Sequence, residues 1–590
     1  MLGGITMTTR MPELSWVIGG QQGEGIESAG DSFAAVLNQL GYYLYGYRHF
    51  SSRIKGGHTH YKIRASQKAV GTVSDATDIL VAFDQETIDL NQPVMHSGGV
   101  ILADARFKPV AAAMPAPPAL VSLPLTELAA AQGSPLMKNS VGLGATAAVA
   151  GLSPAVFDKA LAAAFAHKRP GLFAANQAAL QAGYGYIRDN APQLCGRFSL
   201  TPLAAAQRLF MLGNEAIALG ALAAGAKFMA AYPITPASEI MEYLIKKLPE
   251  FGGAVIQTED EIAACMMAIG AGYAGARAFT ATSGPGFSLM QEGIGLAAMT
   301  ETPLVVIDAQ RGGPSTGLPT KHEQSDILAA VYGTHGDAPK IVMAPGTAAE
   351  AFSDAAEAFN LADEYQCPVI LLSDLQLSLC KQTLELPELE RVTVRRGKIK
   401  TAAELPPLPP KGYFSRFAAA ADGISDRVLP GTANGMHLVT GLEHDVAGRP
   451  SEAAANRIAQ TDKRLGKLAT VAERFSLPLY RQTPHEQPDL LVIGAGGSRG
   501  AIEEAVASLN AAGYRVNHVH LRLLQPLPLP QLRPLLAAAK RILTVEHNAS
   551  AQLAVLLGAE AGRPLHSLRK YDGNILLPAE VYQACREVLA

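Results

Sequence analysis

"PDLLVIGAGGSRGAIEEAVASLNAAGYRVNHVHLRLLQPLPLP", residues 488–530, decides the fold. An apolar run meets a Gly-rich turn, an amphipathic helix pattern follows, and a second apolar run resumes at "YRVNHVHL". "RILTVEHN" (541–548) supplies a further strand. Strand, tight turn, helix and strand in that order form a crossover unit, whose strands lie parallel in one sheet.

The same pattern recurs outward along the chain. "LSWVIGG" (14–20) is strand-like and runs through a Gly-rich turn into "IESAGDSFAAVLNQLG". There Ile26, Phe33, Val36, Leu37 and Leu40 recur at helical spacing and Gly41 is placed to stop the helix. Strand patterns follow at 78–84, 98–105 and 119–125, and Ala-rich helices run to about residue 188. A second block opens at "RLFMLGNEAIALGALAAGAKFMAAYPITP" (208–236), with a helix expected over about 215–226. Its further strands read at "GAVIQTE", "ARAFTATSG", "PLVVIDAQR", "PKIVMAP" and "CPVILLSD". Between the second and third blocks, "ELPPLPPKGYF" is a Pro-rich linker signal and "GLEHDVAGRPSEAAANRIAQTDKR" is polar. The expectation is an α/β protein of three doubly wound blocks with mainly parallel sheets.

Composition narrows the function. A chain of 590 residues exceeds one core, and 48% hydrophobic against 17% charged residues leaves little for solvated tails. A net charge of −3 gives no electrostatic case for nucleic acid. The five cysteines form no CxxC pair, so no metal or iron–sulfur site is expected in this chain, and they read as reduced core residues. No secretory pattern opens the sequence and no apolar run of about 18 residues follows, so no membrane span and a cytoplasmic location are expected.

Several motifs carry chemistry. "GGQQGEGIES" (19–28) opens a helix after a strand, a context in which free amides bind phosphate. After Gly23 and Gly25 it departs from the dinucleotide fingerprint, since Ser28 takes the third glycine position and "YYLYGY" offers no acidic ribose ligand. These departures disfavour an NAD site, and a plain tight strand–helix turn is the alternative. In "YRHFSSRIKGGHTHYKIR" (47–64), Arg48, His49, Arg53, Lys55 and His58 surround a Gly-Gly turn. They suit either a polyanion such as a coenzyme A phosphate or a solvated loop. "AAYPITPASEI" (230–240) places Thr235 between two prolines. Either Thr235 caps a helix that Pro236 begins, or the prolines hold a hydroxyl at a cleft. Thr258 and Glu261 have capping-box spacing, while a carboxylate at a buried helix start is also placed to share a proton with a ring nitrogen. Arg311, directly after a strand, reads as a surface arginine or as a fork for a carboxylate.

Taken together, "GNEAIALGALAAGAKFMAAYPITPASEI", "TEDEIAACMMAIGAGYAGARAFTATSGPGFSLM" and "QRGGPSTGLPT" resemble the alpha subunit of 2-oxoacid:ferredoxin oxidoreductases. The first block, with "GGQQGEGIESAG" and "FSSRIKGGHTH", is similar to the family's gamma domain. The third, with "LRLLQPLPLP" and "TVEHNASAQLA", resembles its transketolase C-terminal-like domain. The resemblance implies a gamma domain over 1–190, a linker over 191–205 and a thiamine diphosphate pyrimidine-binding domain over 206–385. A Pro-rich linker and polar connecting segment over 386–484 and a transketolase C-terminal-like domain over 485–590 would follow.

It further implies that Glu261, with Glu259 as rival, contacts the aminopyrimidine N1′, and that Thr235 faces the reacting 2-oxoacid. Arg311 and Thr320 would hold the substrate carboxylate. Gly23, Gly25, Arg53 and Lys55 would meet coenzyme A, and Arg48, Lys55 or Lys321 would supply a cation for a distal carboxylate. The chain holds no GDG motif. The family places that motif, Mg²⁺ and a [4Fe–4S] cluster on a beta subunit. The implied enzyme is a dimer of alpha–beta heterodimers that passes electrons to ferredoxin and acts on 2-oxoglutarate, giving succinyl-CoA and CO₂ or running in reverse. Pyruvate or another 2-oxoacid, or a non-catalytic assembly role, are the alternatives.

Overall fold

The computed structural model describes residues 13–50, 57–166, 170–204, 208–386, 391–474, 479–482 and 485–590. The backbone forms two compact units, Met1–Met211 with Cys380–Leu386, and Leu212–Leu379 with Pro387–Ala590.

The first unit is built on an eight-stranded sheet. Ala119–Leu123, Met95–Asp104, Thr77–Ala82 and Glu13–Gln21 run parallel, each joined to the next strand in sequence through a crossover or turn. The other half departs from the mainly parallel expectation. His58–Ser66 pairs antiparallel with both Glu13–Gln21 and Tyr43–His49, and Lys381–Glu385 adds antiparallel to Tyr43–His49. The reason is connection length: so short a link between Tyr43–His49 and His58–Ser66 leaves no room for a crossover. The helix read from the sequence spans Ile26–Gln39, and Gly41 follows it with φ 87°. Its apolar stripe seats Phe33 between Trp16 and Phe157, ring centroids 4.9 and 6.2 Å away.

The second unit holds a seven-stranded and a five-stranded sheet. In the first of these, Ile341–Met343, Pro368–Asp374, Leu304–Gln310, Ala278–Thr282, Phe228–Ala231 and Ala254–Gln257 are parallel neighbours in that order. Leu523–Gln525, from the block expected at 485–590, closes its other edge antiparallel to Ile341–Met343. That borrowed strand is one reason the second and third blocks make a single unit. The five-stranded sheet carries the crossover read at the outset: Leu490–Ala495, helix Arg499–Ala511 and Val516–Leu521, with Arg541–Glu546 parallel on the other side.

The Pro-rich and polar stretch does not stand apart. Helix Ala454–Arg474 brings Lys463 and Lys467 onto buried Glu301, at 2.6 and 2.5 Å. Buried Asp363 pairs with Arg277 at 2.9 Å and with Arg427 at 3.4 Å. Buried ions need partners, so these pairs fix the stretch against the sheet.

Candidate active site

Ala254–Gln257, Phe228–Ala231, Ala278–Thr282 and Leu304–Gln310 are adjacent and parallel, so their carboxyl ends share one edge of the sheet. Open α/β sheets bind ligands at that edge. The strands deliver, in turn, the residues around Glu261, the turn around Thr235, the turn Ser283–Gly286 and Arg311.

Asp260, with extended backbone, is the N-cap of helix Glu261–Tyr273, and its carboxylate accepts the Ala263 N–H at 2.7 Å. This corrects the capping-box reading of Thr258 and Glu261. The Thr258 hydroxyl instead donates to the Asp260 carbonyl at 2.8 Å. An aspartate immediately before a helix caps as well as a threonine does, so the helix end makes no use of Glu261. The Glu261 side chain is buried beside Gly286, where a Cβ would lie 2.6 Å from its Oε1 and 2.2 Å from Thr282 Oγ1. Its carboxylate makes no hydrogen bond to a described residue. Glu259 is exposed.

The helix-cap reading of Thr235 is corrected as well. The helix begins at Ser238, after Ala237 as N-cap, so Pro236 is not its first residue. Instead, residues 234–237 make a tight turn with a cis Thr235–Pro236 bond, closed by the Ala237 N–H on the Ile234 carbonyl at 2.8 Å. Cis-proline at the third position defines that turn type. Buried Asn214 donates to the Pro236 carbonyl at 2.5 Å, and Arg311 Nη1 donates to the Thr235 carbonyl at 2.7 Å. The Thr235 hydroxyl, half-buried, makes no hydrogen bond to a described residue. Thr235 and Arg311 thus meet, through the backbone of one and the guanidinium of the other.

Arg311 is buried, and its Nε–H is unpartnered. Burial pulls the guanidinium below its ordinary pKa, and the Asp326 carboxylate opposes that. The loop after Arg311 turns back on itself: Gly312 N–H donates to the Lys321 carbonyl at 3.0 Å, and Leu318 N–H to the Gly312 carbonyl at 2.8 Å. Thr320, half-buried, stands in that closing turn. The stem of Lys321 lies against Gly573. Burial lowers the pKa of its ammonium, with Asp572 opposing.

In the first unit, the turn bearing Gly23 and Gly25 already holds a carboxylate. Glu24 accepts the Gln21 N–H at 2.8 Å and pairs with Lys138 at 2.6 Å. Arg48 is ion-paired with Glu27. Arg53 and Lys55 lie outside the described residues. Across the strand pair, His49 stacks on His60 with centroids 4.7 Å apart, and His58 Nε2 lies 3.1 Å from His60 Nδ1. No group of three or more His, Cys, Asp or Glu among the described residues is placed to hold a metal ion.

The helix that Glu261 begins carries an exposed face of Ile262, Met266, Met267 and Gly270. A cavity of about 570 Å³ opens beside it, lined by Ile262, Cys265, Met266, Met290 and Leu296 among others. Asn214, Asp260 and Asp326 were not singled out in the sequence. Of these only Asp260 carried a local signal, its place one residue ahead of an apolar helical pattern.

Residues 219–463 match the family described as pyruvate flavodoxin/ferredoxin oxidoreductase, thiamine diphosphate-binding, and residues 15–186 match pyruvate ferredoxin/flavodoxin oxidoreductase. The chain is 33% identical over 636 residues to the 2-oxoacid:ferredoxin oxidoreductase subunit alpha of a Sulfolobus species, covering 98% of this chain and 97% of that one. It is 37% identical over 378 residues to the 2-oxoglutarate synthase subunit KorA of Methanothermobacter thermautotrophicus, covering 64% of this chain and 97% of that one. Among solved structures, 2-oxoglutarate:ferredoxin oxidoreductase from Magnetococcus marinus, with 2-oxoglutarate, coenzyme A and succinyl-CoA bound, superposes with a TM-score of 0.92 at 33% identity. The match covers 98% of this chain and 100% of that one. No helix among the described residues is long and apolar enough to cross a membrane. Glu261, the Thr235 turn and buried Arg311 lie along one sheet edge within the span that the first of these families matches, and the chain belongs to the 2-oxoacid:ferredoxin oxidoreductases as an alpha subunit with a thiamine diphosphate-binding domain.

Proposed function

We propose that this chain supplies the pyrimidine-side half of the active site of a 2-oxoglutarate:ferredoxin oxidoreductase, forming succinyl-CoA and CO₂ from 2-oxoglutarate or running in reverse. The observation that carries the reading is Glu261: a buried carboxylate with no donor among the described residues, against a glycine turn, on the edge that also presents Thr235 and Arg311. Those residues fit the cofactor, since a side chain at Gly286 would fill the space beside the carboxylate.

Thiamine diphosphate, when bound, supplies the nucleophilic carbon and the electron sink that 2-oxoacid decarboxylation requires. Glu261 would hold the aminopyrimidine by a proton shared with its N1′, and its burial beside Gly286 favours it over exposed Glu259. The Thr235 hydroxyl is free to donate to the 2-oxo oxygen. Arg311 Nε–H, with Thr320 in the adjoining turn, receives the substrate carboxylate.

The diphosphate, Mg²⁺ and the [4Fe–4S] cluster belong to a beta subunit, since this chain lacks the GDG motif and paired cysteines. The exposed Ile262–Met266–Gly270 face, next to Glu261, is where that subunit would complete the site in a dimer of alpha–beta heterodimers. Electrons leave to ferredoxin. Coenzyme A is assigned to the first unit, around Gly23, Gly25, Arg53 and Lys55. Because Glu24 already occupies the glycine turn, the basic residues carry that assignment. Support for 2-oxoglutarate comes from the names of KorA and of the Magnetococcus marinus enzyme.

The test is turnover of the chain co-purified with its beta partner, following viologen reduction with coenzyme A, thiamine diphosphate and either 2-oxoglutarate or pyruvate. We expect kcat/KM for 2-oxoglutarate to exceed that for pyruvate by about tenfold or more, since a missing hydrogen-bonded or charged group is strongly discriminated. A preference for pyruvate would reassign the substrate. A loaded, assembled complex inactive with every 2-oxoacid would return the chain to an assembly role.

A further inference from the structure

The loop that leaves Arg311 is fastened, at its far end, to the third block. Residues 313–318 form its exposed tip, and the Gly312 N–H on the Lys321 carbonyl closes it on itself. From His322 onward it lies against the block at 485–590. The His322 N–H donates to the Gly573 carbonyl at 3.1 Å, and the Gln324 N–H to the His547 carbonyl at 2.7 Å. Asn548 Nδ2 donates to the Gln324 carbonyl at 3.1 Å, and Gln552 Nε2 to the Ser325 carbonyl at 2.7 Å. The loop then returns to its own strand, where the Asp326 N–H donates to Gln310 Oε1 at 3.0 Å.

Gln324 is the centre of this attachment. It is 2% exposed, and its Nε2 donates to Asp374 Oδ2 at 2.8 Å and to the Ala495 carbonyl at 2.9 Å. Its Oε1 accepts the His547 N–H at 3.4 Å. Main chain and side chain together use every donor and acceptor of the residue. A buried amide left unpaired costs more than a paired one contributes, so the segment has one place to sit. The constraint reaches the substrate residues through the backbone. Thr320 stands two residues before His322, and its half-buried hydroxyl makes no hydrogen bond to a described residue. Lys321, between them, accepts from Gly312, the neighbour of Arg311. Arg311 is itself directed by the Thr235 carbonyl at 2.7 Å. The loop is thus pinned at Arg311 and at Gln324, with Thr320 between.

We propose that Gln324 is a positioning residue of the substrate site, fastening the loop that carries Arg311 and Thr320 to the third block so that both groups meet the 2-oxoacid carboxylate in one geometry. The inference rests on the reading of Arg311 and Thr320 as the carboxylate residues. It gives the third block, which lends no side chain to that reading, a part in substrate binding. A carboxylate received by two groups on a fixed frame has no loop to order. On a loosened loop it must supply that ordering itself, and the cost enters KM rather than the chemical step.

In the assembled complex, Gln324→Ala should raise KM for the preferred 2-oxoacid about tenfold or more, with kcat within about threefold and KM for coenzyme A within about twofold of wild type. Thr320→Ala should raise the same KM. The double variant should fall well short of the product of the two effects, because one residue acts through the other. A merely structural Gln324 would lower the urea midpoint and leave KM unchanged, and that result overturns the proposal. So does a double variant whose KM is the full product. In either case a raised KM in Thr320→Ala leaves the functional reading standing. Wild-type KM in both Thr320→Ala and Arg311→Lys, or a wild type that turns over no 2-oxoacid, sinks the two together. Should Gln324→Ala fail to assemble, Gln552→Ala is the second variant, since it releases only the Ser325 carbonyl and the Leu328 N–H. A KM raised about threefold or more in it supports the proposal, and an unchanged KM refutes it.

Discussion

At the scale of single residues, the site depends on what Asp260 releases. Because Asp260 caps the helix, Glu261 keeps a carboxylate in a buried position where a cap would have consumed it. Glu261→Gln preserves shape and removes only the acid. We expect turnover in the complex to fall by about 100-fold or more, the usual range for a lost general acid–base, with co-purification of the beta subunit unchanged. Unaltered turnover would move the role elsewhere, Glu259 being the first candidate. Thr258, Asp260 and Glu261 also mark the limit of local reading. All three suit a helix start, and burial, which sequence spacing does not report, separates the cap from the acid.

Among elements, helix Ala454–Arg474 has the clearest energetic claim. It faces the core with Lys463 and Lys467, which the sequence presents as ordinary polar positions. Glu301 receives both, fully buried and in a left-handed backbone conformation, φ 50°. Burial alone would raise its pKa, yet Lys467, Lys463 and Arg416 hold it at about 2, while burial takes Lys463 down to about 8. Removing one partner of such a cluster strands the others in a medium that does not solvate them. Glu301→Gln should therefore cost about 3–5 kcal/mol, seen as a lower urea midpoint for the chain, and a shift under about 1 kcal/mol would mean the lysines find water. The crossover strands and the helix at Ile26 were legible because their apolar spacing is regular. Tyr43–His49 and His58–Ser66 were not. Their alternation is present in "HTHYKIR", but the Gly-Gly and basic residues between them read as a loop. Lys463 and Lys467 were equally opaque, since a lysine buried by an ion pair has the same letter as one in solvent.

For the whole molecule, the second unit is joined through buried histidines. His322 Nδ1 accepts the Gln376 N–H at 3.2 Å, and His547 Nε2 accepts the Leu576 N–H at 3.2 Å, their rings 4.1 Å apart. Each bond requires a neutral ring. Burial depresses both, His547 well below its ordinary value, and takes His520 down to about 3. The unfolded chain binds protons at these sites below about pH 6.5 and the folded one does not, so stability falls as pH drops through that value, by up to about 1.4 kcal/mol per unit for each ring. Urea midpoints at pH 7 and 5.5 should differ for the wild type and differ less for His547→Asn. An unchanged difference would exclude His547 from the effect.

This seam also explains why the three blocks, legible one by one, did not disclose their grouping. Gly497 N–H donates to Asp374 at 2.6 Å, and Gln324 donates to the same oxygen at 2.8 Å, contacts between residues far apart in the chain. Asp374 thus stands at one glycine turn as Glu24 stands at the other. Both junctions keep the outline of a nucleotide grip while a tethered carboxylate supplies the negative charge from within. At each junction a carboxylate of the chain itself meets the turn, through the Gly497 N–H at one and the Gln21 N–H at the other.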